Sequence, residues 1–295
     1  MSATMQQTAV DQTGLLEVKG AMLPYAVRGR GSVVLFLHGA LTDHTMWDRQ
    51  RTLLADRYRT LAYTQRYFGG GSWRADWPPF GVTTHADDLV AFVQAFGAGP
   101  VHLVAWSYAG HVAFQAALHH PALFKSLFVY EPGVLSYVED PSERDAFAHD
   151  AHTMFGPIFE AVQGRGDLEA GVRLLLDGSG QRPGYFATQP ADVRALQLRH
   201  ARTLPLQLGQ AEPPHITCAD LASLPMPVCV AYGMRTRPVF SVVSRAAVRC
   251  LPQGQHRVIP DATHMWPDEA PAAFSMAVAS FLATLEPLSA DKEAG

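Results

Sequence analysis

The chain has few cysteines, and their number and spacing exclude two kinds of protein. Only three of its 295 residues are cysteine, at Cys218, Cys229 and Cys250, and no two of them form a CxxC pair. An odd number without such a pair indicates neither a disulfide framework nor a zinc site. We therefore expect each cysteine to act as a small apolar residue that fills space.

Basic clusters and long apolar runs are also missing. The chain carries 23 Lys and Arg against 27 Asp and Glu, a formal net charge of −4, and no Lys/Arg run could meet nucleic-acid phosphates. No stretch approaches the roughly 18 apolar residues that cross a membrane. The first ten residues, MSATMQQTAV, lack the basic start and apolar run of a signal peptide. We therefore expect no nucleic acid, no membrane and a cytoplasmic location, while nothing in the sequence specifies an oligomeric state.

Short apolar runs that alternate with helical patterns make up most of the chain. This alternation is typical of an α/β fold with a mostly parallel central sheet flanked by helices. The predicted strands cover residues 14–19, 25–28, 33–37, 59–63, 101–106, 126–131, 228–232 and 256–259. The clearest predicted helices cover residues 84–96, 108–119, 240–250 and 271–285.

The alternation of strands and helices stops between residues 136 and 214. That segment contains helical patterns at 145–154, 168–176 and 191–201, separated by turns that contain Gly and Pro. We therefore predict a core of residues 14–135 and 215–287 and a helical lid of residues 136–214. The remaining residues, 1–13 and 288–295, are predicted to be flexible tails.

One serine, one glutamate and one histidine fall at the carboxyl ends of predicted strands, where an open α/β sheet places its site. Ser107 follows strand 101–106, Glu131 ends strand 126–131, and His264 follows strand 256–259. A serine hydroxyl becomes a nucleophile when an imidazole takes its proton, and a carboxylate orients that imidazole. These residue types in this order predict acyl transfer.

Three segments of the chain carry a resemblance to a known family. VVLFLHGALTD resembles the oxyanion loop, VHLVAWSYAG the nucleophile elbow and VIPDATHMWPDEAPAAF the histidine loop of the α/β-hydrolase fold superfamily, in its lid-bearing, esterase- and lactonase-like serine hydrolases. The resemblance covers residues 16–133 and 221–285. It implies that Ser107 is the nucleophile and that the N–H groups of Ala40 and Tyr108 form an oxyanion hole.

The chain departs from the family pattern at two places. The elbow usually has glycine two residues before and two residues after the serine, because its turn brings backbone segments close together. Here Ala105 and Ala109 stand at those positions, and Gly110 follows. In much of the family the acid follows the strand equivalent to 228–232, but residues 221–260 contain no Asp or Glu. Glu131 is then the predicted acid, at the earlier position seen in some haloalkane dehalogenases and lactone hydrolases of the superfamily.

The candidate residues also have plainer interpretations. Ser107 could be only the N-cap of the next helix, and Glu131 could be a solvated glutamate at the end of a strand. His38 is expected to brace the oxyanion loop through a hydrogen bond rather than to act as a base. The other histidines show no metal-ligand spacing, so we predict no metal and no cofactor.

Large apolar side chains near the candidates predict a small-molecule substrate with an apolar acyl or aryl group. The predicted substrate-binding residues are Trp106, Met265, Trp266, Met154, Phe155 and Phe159, of which the last three could instead pack the lid onto the core. The favoured function is a serine hydrolase of carboxylic esters or lactones with a Ser-His-Glu triad. Two alternatives stay open: a carbon–carbon bond hydrolase on the same fold, and a ligand-binding receptor with a residual triad.

Overall fold

A computed structural model describes residues 11–133, 135–210 and 213–285, and one sheet runs through its centre. The strands are β1 (Gln12–Val18), β2 (Ala21–Arg28), β3 (Val33–Leu37), β4 (Arg59–Tyr63), β5 (Val101–Trp106), β6 (Phe124–Tyr130), β7 (Val228–Gly233) and β8 (Gln255–Ile259). Their order in the sheet is β1-β2-β4-β3-β5-β6-β7-β8. β2 pairs with β1 and β4 in antiparallel fashion, and the other neighbours are parallel.

The central strands are apolar on both faces because helices cover both sides of the sheet. Every residue of β3 (VVLFL) is buried, and β5 and β6 are nearly as apolar. A strand covered on both sides has no polar face, so it shows a continuous apolar run instead of alternation. β1, at the edge of the sheet, instead alternates between exposed and more buried residues.

The helices form two layers around the sheet. They are α1 (Asp48–Leu54), α2 (Val82–Phe96), α3 (Tyr108–His119), α4 (Pro141–Phe159), α5 (Leu168–Ser179), α6 (Tyr185–Thr188), α7 (Ala191–Arg199), α8 (Leu204–Leu208), α9 (Cys218–Ala222), α10 (Pro238–Cys250), α11 (Trp266–Glu269) and α12 (Pro271–Ala283). Apolar residues of α2, α3 and α10 pack on one face of the sheet. Apolar residues of α1, α12, α4 and α5 pack with the other face.

Within residues 136–214, the described residues form helices α4 to α8 and no strand. We call residues 141–208 the helical insert. Hydrogen bonds and ion pairs at several places tie it to the rest of the chain, and those at Asp150, His200 and Arg202 are examples. Arg237 binds both carboxylate oxygens of Asp150 at 2.7 and 2.8 Å, and His200 Nε2 lies 3.2 Å from Asp43 Oδ2. Arg202 donates to the carbonyl groups of residues 69 and 71.

All eight predicted strands are present, and the differences lie at their ends. β2 begins at Ala21, four residues before the predicted start, because Pro24 is accommodated inside it and its carbonyl accepts from the Thr64 N–H. The helix predicted at residues 84–96 is α2, which begins two residues earlier, at Val82, with Gly81 as its N-cap residue. The Thr84 hydroxyl donates to the Pro79 carbonyl instead of capping the helix.

The cysteine prediction was wrong for two of the three residues. Cys218, the first residue of α9, and Cys250, the last residue of α10, form a disulfide with their Cα atoms 4.9 Å apart. The packing of α9 against α10 brings the two cysteines together. Because they are 32 residues apart in the chain, no local sequence pattern indicates that they pair. Cys229 is free and buried in β7.

The disulfide also bears on the compartment of the protein. Disulfides persist in oxidising compartments and are rare in the cytosol, so the cytoplasmic location stays a prediction. No helix within the three described ranges is both long and apolar enough to cross a bilayer.

Candidate active site

Ser107 lies on a sharp turn between β5 and α3. Its φ of 60° and ψ of −127° place it in a region that residues with a side chain seldom occupy. Two hydrogen bonds fix the turn: the Ser107 N–H donates to the Tyr130 carbonyl at 3.0 Å, and the Gly110 N–H donates to the Ser107 carbonyl at 2.8 Å. The turn therefore presents the serine hydroxyl at the carboxyl edge of the sheet.

In this turn the position that requires glycine is not one of the two usual ones but the next residue, Gly110. Ala105 and Ala109 are fully buried, so the packed interior accommodates a methyl group at both of the usual glycine positions. A Cβ on Gly110, however, would lie 2.8 Å from Pro132 Cα and 2.9 Å from a Val129 methyl carbon. Gly110 is therefore the residue whose lack of a side chain allows α3 to approach the segment after β6.

A continuous hydrogen-bonded chain joins Ser107, His264 and Glu131. His264 Nε2 lies 2.9 Å from Ser107 Oγ, and His264 Nδ1 lies 2.6 Å from Glu131 Oε2. With Nδ1–H donating to the carboxylate, Nε2 is free to accept the serine proton. Ser107 occupies the N-cap position of α3 but its side chain makes no capping hydrogen bond. The simple N-cap interpretation of Ser107 is therefore wrong.

Glu131 is fully buried, so it is not the solvated glutamate that the plainer interpretation required. Its Oε1 accepts from the Gly233 N–H at 2.8 Å, and its Oε2 accepts from the Thr236 hydroxyl at 2.9 Å as well as from His264. A buried carboxylate needs such donors to offset its lost hydration. Gly233 and Thr236 lie at and after the end of β7, where much of the family has its acid. In this chain that segment supplies donors to the carboxylate of Glu131, the residue directly after β6.

Aromatic rings fix the orientation of the His264 imidazole. The Phe240 ring stacks on it with centroids 3.6 Å apart and an angle of 4° between the planes. Trp106 Nε1 donates to the His264 carbonyl at 3.0 Å, and the Tyr130 hydroxyl donates to the Thr263 carbonyl at 2.6 Å. The ring therefore has little freedom to rotate away from Ser107.

The loop after β3 approaches Ser107 from the other side. A Cβ on Gly39 would lie 3.2 Å from both Ser107 Cβ and the Trp106 carbonyl oxygen. Ala40 and Tyr108, the residues predicted to supply the oxyanion hole, both line the same cavity as Ser107. Tyr108 is the first residue of α3, where backbone N–H groups have no partner within the helix.

His38 braces this loop, as the sequence predicted. Its Nε2 accepts from the Gln65 N–H at 3.0 Å, which leaves Nδ1–H to donate to the Gly39 carbonyl at 2.9 Å. The Gln65 side chain in turn donates to the His38 carbonyl at 2.7 Å. Burial lowers the pKa of His38 to about 3, so the ring is neutral and acts as a fixed hydrogen-bonding group.

His85, which the sequence analysis did not single out, fixes the Tyr108 side chain. The Tyr108 hydroxyl donates to His85 Nδ1 at 2.7 Å, and His85 Nε2–H donates to the Arg66 carbonyl at 3.1 Å. Burial lowers the pKa of His85 to about 3 and raises the pKa of Tyr108. Both groups therefore stay neutral beside the nucleophile. A histidine in the first turn of a helix carries no sequence signal for such a role.

A cavity of about 1210 Å³ opens over Ser107 and His264 and extends beneath the helical insert. Of the predicted substrate-binding residues, four line it: Trp106, Met265, Phe155 and Phe159. The other two pack inside the protein. Met154 is buried on the side of α4 that faces the core, and Trp266 packs on Tyr130 and Phe274 with centroids 5.2 and 5.1 Å away. Successive residues on a helix point about 100° apart, so Met154 cannot share the direction of Phe155.

The charged residues of the cavity wall are mostly exposed to solvent. The exposed ones carry both signs: Asp48, Arg49, Arg182, Asp192, Arg199 and Glu269. Burial raises the pKa of Asp268 to about 7, with a further contribution from neighbouring Glu269. Among the described residues, no group of three or more His, Cys, Asp or Glu could hold a metal ion.

Comparison of the amino-acid sequence with those of known proteins identifies a matching family model and several similar proteins. A family model described as alpha/beta hydrolase fold matches residues 32–271. The 2-(acetamidomethylene)succinate hydrolase of Mesorhizobium japonicum is 23% identical over 262 residues, which cover 86% of this chain and 89% of that protein. Two other curated relatives are matched over only 45% and 40% of their own length.

Solved structures of similar shape include an esterase and a lactonase. A thermophilic esterase from Thermogutta terrifontis superimposes with a TM-score of 0.67 at 23% identity, over 94% of this chain and all of that chain. The enol-lactonase from Burkholderia xenovorans LB400 superimposes with a TM-score of 0.68 at 17% identity, over 92% of this chain and all of that one. At such identities the likeness shows a shared fold.

Proposed function

Because the chain belongs to the alpha/beta hydrolase fold family, we propose that it is a serine hydrolase that cleaves a carboxylic ester or a lactone through an acyl-enzyme intermediate. The observation that carries the proposal is the hydrogen-bonded chain from Glu131 through His264 to Ser107, at the wall of a large cavity. A nucleophile, a base and an orienting acid in hydrogen-bond contact are the elements that acyl transfer requires.

Acylation begins when His264 Nε2 takes the Ser107 proton while Ser107 Oγ bonds to the substrate carbonyl carbon. The N–H groups of Ala40 and Tyr108 hold the oxyanion of the tetrahedral intermediate. The intermediate collapses as the carbon–oxygen bond to the alcohol breaks, and His264 Nε2–H gives its proton to the departing oxygen. In a lactone, that oxygen stays tethered to the acyl group.

Deacylation repeats these steps with water as the nucleophile. His264 takes a proton from the water, the water oxygen bonds to the acyl carbon, and the bond to Ser107 Oγ breaks as the serine regains its proton. Glu131 keeps Nδ1 protonated in both half-reactions and stabilises the imidazolium that forms. The Gly233 N–H and the Thr236 hydroxyl keep this carboxylate in position.

Ser107→Ala tests the nucleophile directly. We expect the variant to lose hydrolysis of p-nitrophenyl esters and lactones by at least about a thousandfold, and to lose covalent labelling by a fluorophosphonate probe. Circular dichroism checks that the variant is folded. Turnover by Ser107→Ala at the wild-type rate would overturn the assignment. Tight binding of esters without turnover by the wild type would favour a receptor, and turnover of 1,3-diketones instead of esters would favour carbon–carbon bond hydrolysis.

Glu131→Gln tests the acid. The amide would keep the shape of the side chain but would not stabilise the imidazolium, so we expect kcat to fall by about a thousandfold to ten-thousandfold. Glu139→Gln is the matched control, because this glutamate lies in the segment after β6 and is exposed. Equal rates for Glu131→Gln and Glu139→Gln would show that another group orients His264.

A further inference from the structure

Two buried glutamines of the helical insert form an incomplete hydrogen-bonding pair on the cavity wall. Gln197 Nε2 donates to Gln189 Oε1 at 2.7 Å. The two residues are 4% and 7% exposed, and both line the cavity. Gln189 Nε2 and Gln197 Oε1 have no partner. A buried polar atom that has no partner destabilises the protein, so the pair is complete only with another polar group.

The pair offers one donor and one acceptor whichever way the two amides are oriented. With the amides as placed, the free donor is on Gln189 and the free acceptor is on Gln197. If both amides were flipped, Gln189 would donate to Gln197, and the free acceptor and donor would change places. The complementary group therefore carries both an acceptor and a donor, as a secondary amide does.

The surroundings favour an uncharged group. The buried polar atoms on this part of the wall belong to side-chain amides, and the unpartnered Nε2 of Gln207 on α8 adds another. Val193 and Leu196 of α7 supply apolar surface to the same cavity. The charged residues of the wall are mostly exposed and of both signs. A buried charge without a counter-charge would be costly at this position.

The helix that carries Gln197 is held toward the candidate catalytic residues. His200, at the end of α7, contacts Asp43, which lies three residues after Ala40 on the oxyanion loop. Val193, Leu196 and Gln197 thus face the cavity that also contains Ser107. Ser107 and the glutamine pair therefore line one and the same cavity.

We propose that Gln189 and Gln197 bind an uncharged amide group in the substrate, at some distance along the chain from the carbonyl that Ser107 attacks. This inference rests on the proposed function and narrows its substrate class to esters or lactones that carry a secondary amide. The amide carbonyl accepts from the free N–H of the pair, and the amide N–H donates to its free oxygen.

Four p-nitrophenyl esters with acyl chains of seven atoms test the proposal. The heptanoate has no polar group, and the 5-oxoheptanoate has an acceptor only. The N-propanoyl-β-alanine and N-acetyl-4-aminobutanoate esters carry the amide at two different positions. We expect kcat/KM for at least one amide ester to exceed that for the heptanoate by about tenfold or more, with the ketone ester between them.

The double variant Gln189→Met/Gln197→Met replaces both amides with apolar side chains of similar length. We expect it to lose the preference for the amide ester and to cleave the heptanoate at least as well as the wild type does. Retained fluorophosphonate labelling at Ser107 shows that the variant is folded. Gln94→Met, at an exposed position of α2, is the matched control and should leave the preference unchanged.

The design separates failure of this inference from failure of the proposed function. Ser107-dependent cleavage of the heptanoate with no advantage for either amide ester would overturn the inference and leave the function intact. If no ester is cleaved, calorimetric titration of Ser107→Ala with the same esters decides the matter. Tighter binding of an amide ester than of the heptanoate would support the glutamine site, and equal binding would overturn it.

Discussion

At the scale of single residues, the turn at Ser107 depends on one position without a side chain. A methyl group at Gly110 would overlap Pro132 Cα and a methyl carbon of Val129. Neither can move aside, because the first is a backbone atom and the second belongs to a fully buried side chain. We expect Gly110→Ala to lower the free energy of unfolding by about 1–3 kcal/mol, the usual cost of overpacking. Urea unfolding measures it, and kcat for ester hydrolysis should fall as well because the turn carries Ser107.

Gly164→Ala provides the matched control for this prediction. Gly164 is exposed in the helical turn that follows α4, and a Cβ there would meet only a Glu160 side-chain carbon at 3.8 Å, which is an ordinary contact. Alanine is a better helix former than glycine by about 1 kcal/mol, so this variant should be as stable as the wild type or slightly more stable. A Gly110→Ala protein as stable as Gly164→Ala would contradict the steric argument.

The sequence could indicate Ser107, His264 and Glu131 because their chemistry and order limit the choice. The resemblance to the family places the acid after the strand equivalent to 228–232 or at the earlier strand end, and the absence of Asp and Glu from residues 221–260 favoured Glu131. The donors that hold Glu131 could not be found in the same way, because one is a backbone N–H and the other a threonine hydroxyl. Such groups occur throughout any chain, and only the fold selects which of them meet a carboxylate.

At the scale of elements, the disulfide joins the short helix α9 to the end of α10. It closes a loop of 32 residues that includes β7. The chain-entropy argument gives about 3–4 kcal/mol of stabilisation for a loop of this length. We expect the Cys218→Ser/Cys250→Ser protein to lose roughly that much free energy of unfolding in urea.

A reductant supplies the internal control for the disulfide. Dithiothreitol should lower the stability of the wild type toward that of the double serine variant and should leave the variant itself unchanged. Cys229 is free and buried, so it contributes equally in both proteins. A wild type whose unfolding midpoint is insensitive to reductant would show that the pair adds no stability. The free thiol content of the protein recovered from cells would also test the cytoplasmic prediction.

Long elements were predicted better than short ones. α3 was predicted at residues 108–119, the range that the structure has, because its strand, turn and final proline are all local signals. The helices α1, α6, α8, α9 and α11 were missed. Each has seven or fewer residues, too short for helical periodicity to show, and tertiary packing determines their presence.

At the scale of the whole molecule, buried neutral histidines make stability depend on pH. Burial lowers the pKa of His38 and His85 to about 3 and the pKa of His111 to about 4, against an ordinary value of 6.5. Between pH 6.5 and 4 the unfolded chain therefore binds protons that the folded chain does not. By linkage, stability is present above pH 6.5 and is lost as the pH falls through this window.

Each such histidine contributes a slope of about 1.4 kcal/mol per pH unit. Asp268, with its pKa raised to about 7, acts in the opposite direction because the folded chain binds its proton first. We therefore expect the free energy of unfolding to fall by about 2–3 kcal/mol per pH unit between pH 6 and 5, measured by urea unfolding at each pH. His111→Asn should reduce that slope. A stability that is flat or rises over this window would contradict the prediction.

The sequence predicted the architecture of the molecule but could not predict the inner surface of its cavity. The sheet follows from alternating strands and helices, which are local patterns. The direction of each insert side chain depends on how α4 to α8 pack over the sheet, so Met154 was assigned to the cavity and Gln197 was not. Side-chain amides are usually solvated, and nothing in a single sequence marks the few that are buried without a partner.

The position of Glu131 makes its spacing from Ser107 in the chain independent of the length of the helical insert. Ser107 and Glu131 both precede the helical insert in the chain, and each directly follows one of two adjacent strands, β5 and β6, that α3 connects. With an acid after β7, the insert would interrupt the chain between nucleophile and acid. In this arrangement insertions and deletions in residues 141–208 leave the spacing from Ser107 to Glu131 untouched, and only the segment that bears His264 has to be brought back to them. A change in the length of the insert therefore leaves Ser107 and Glu131 within one uninterrupted block of chain.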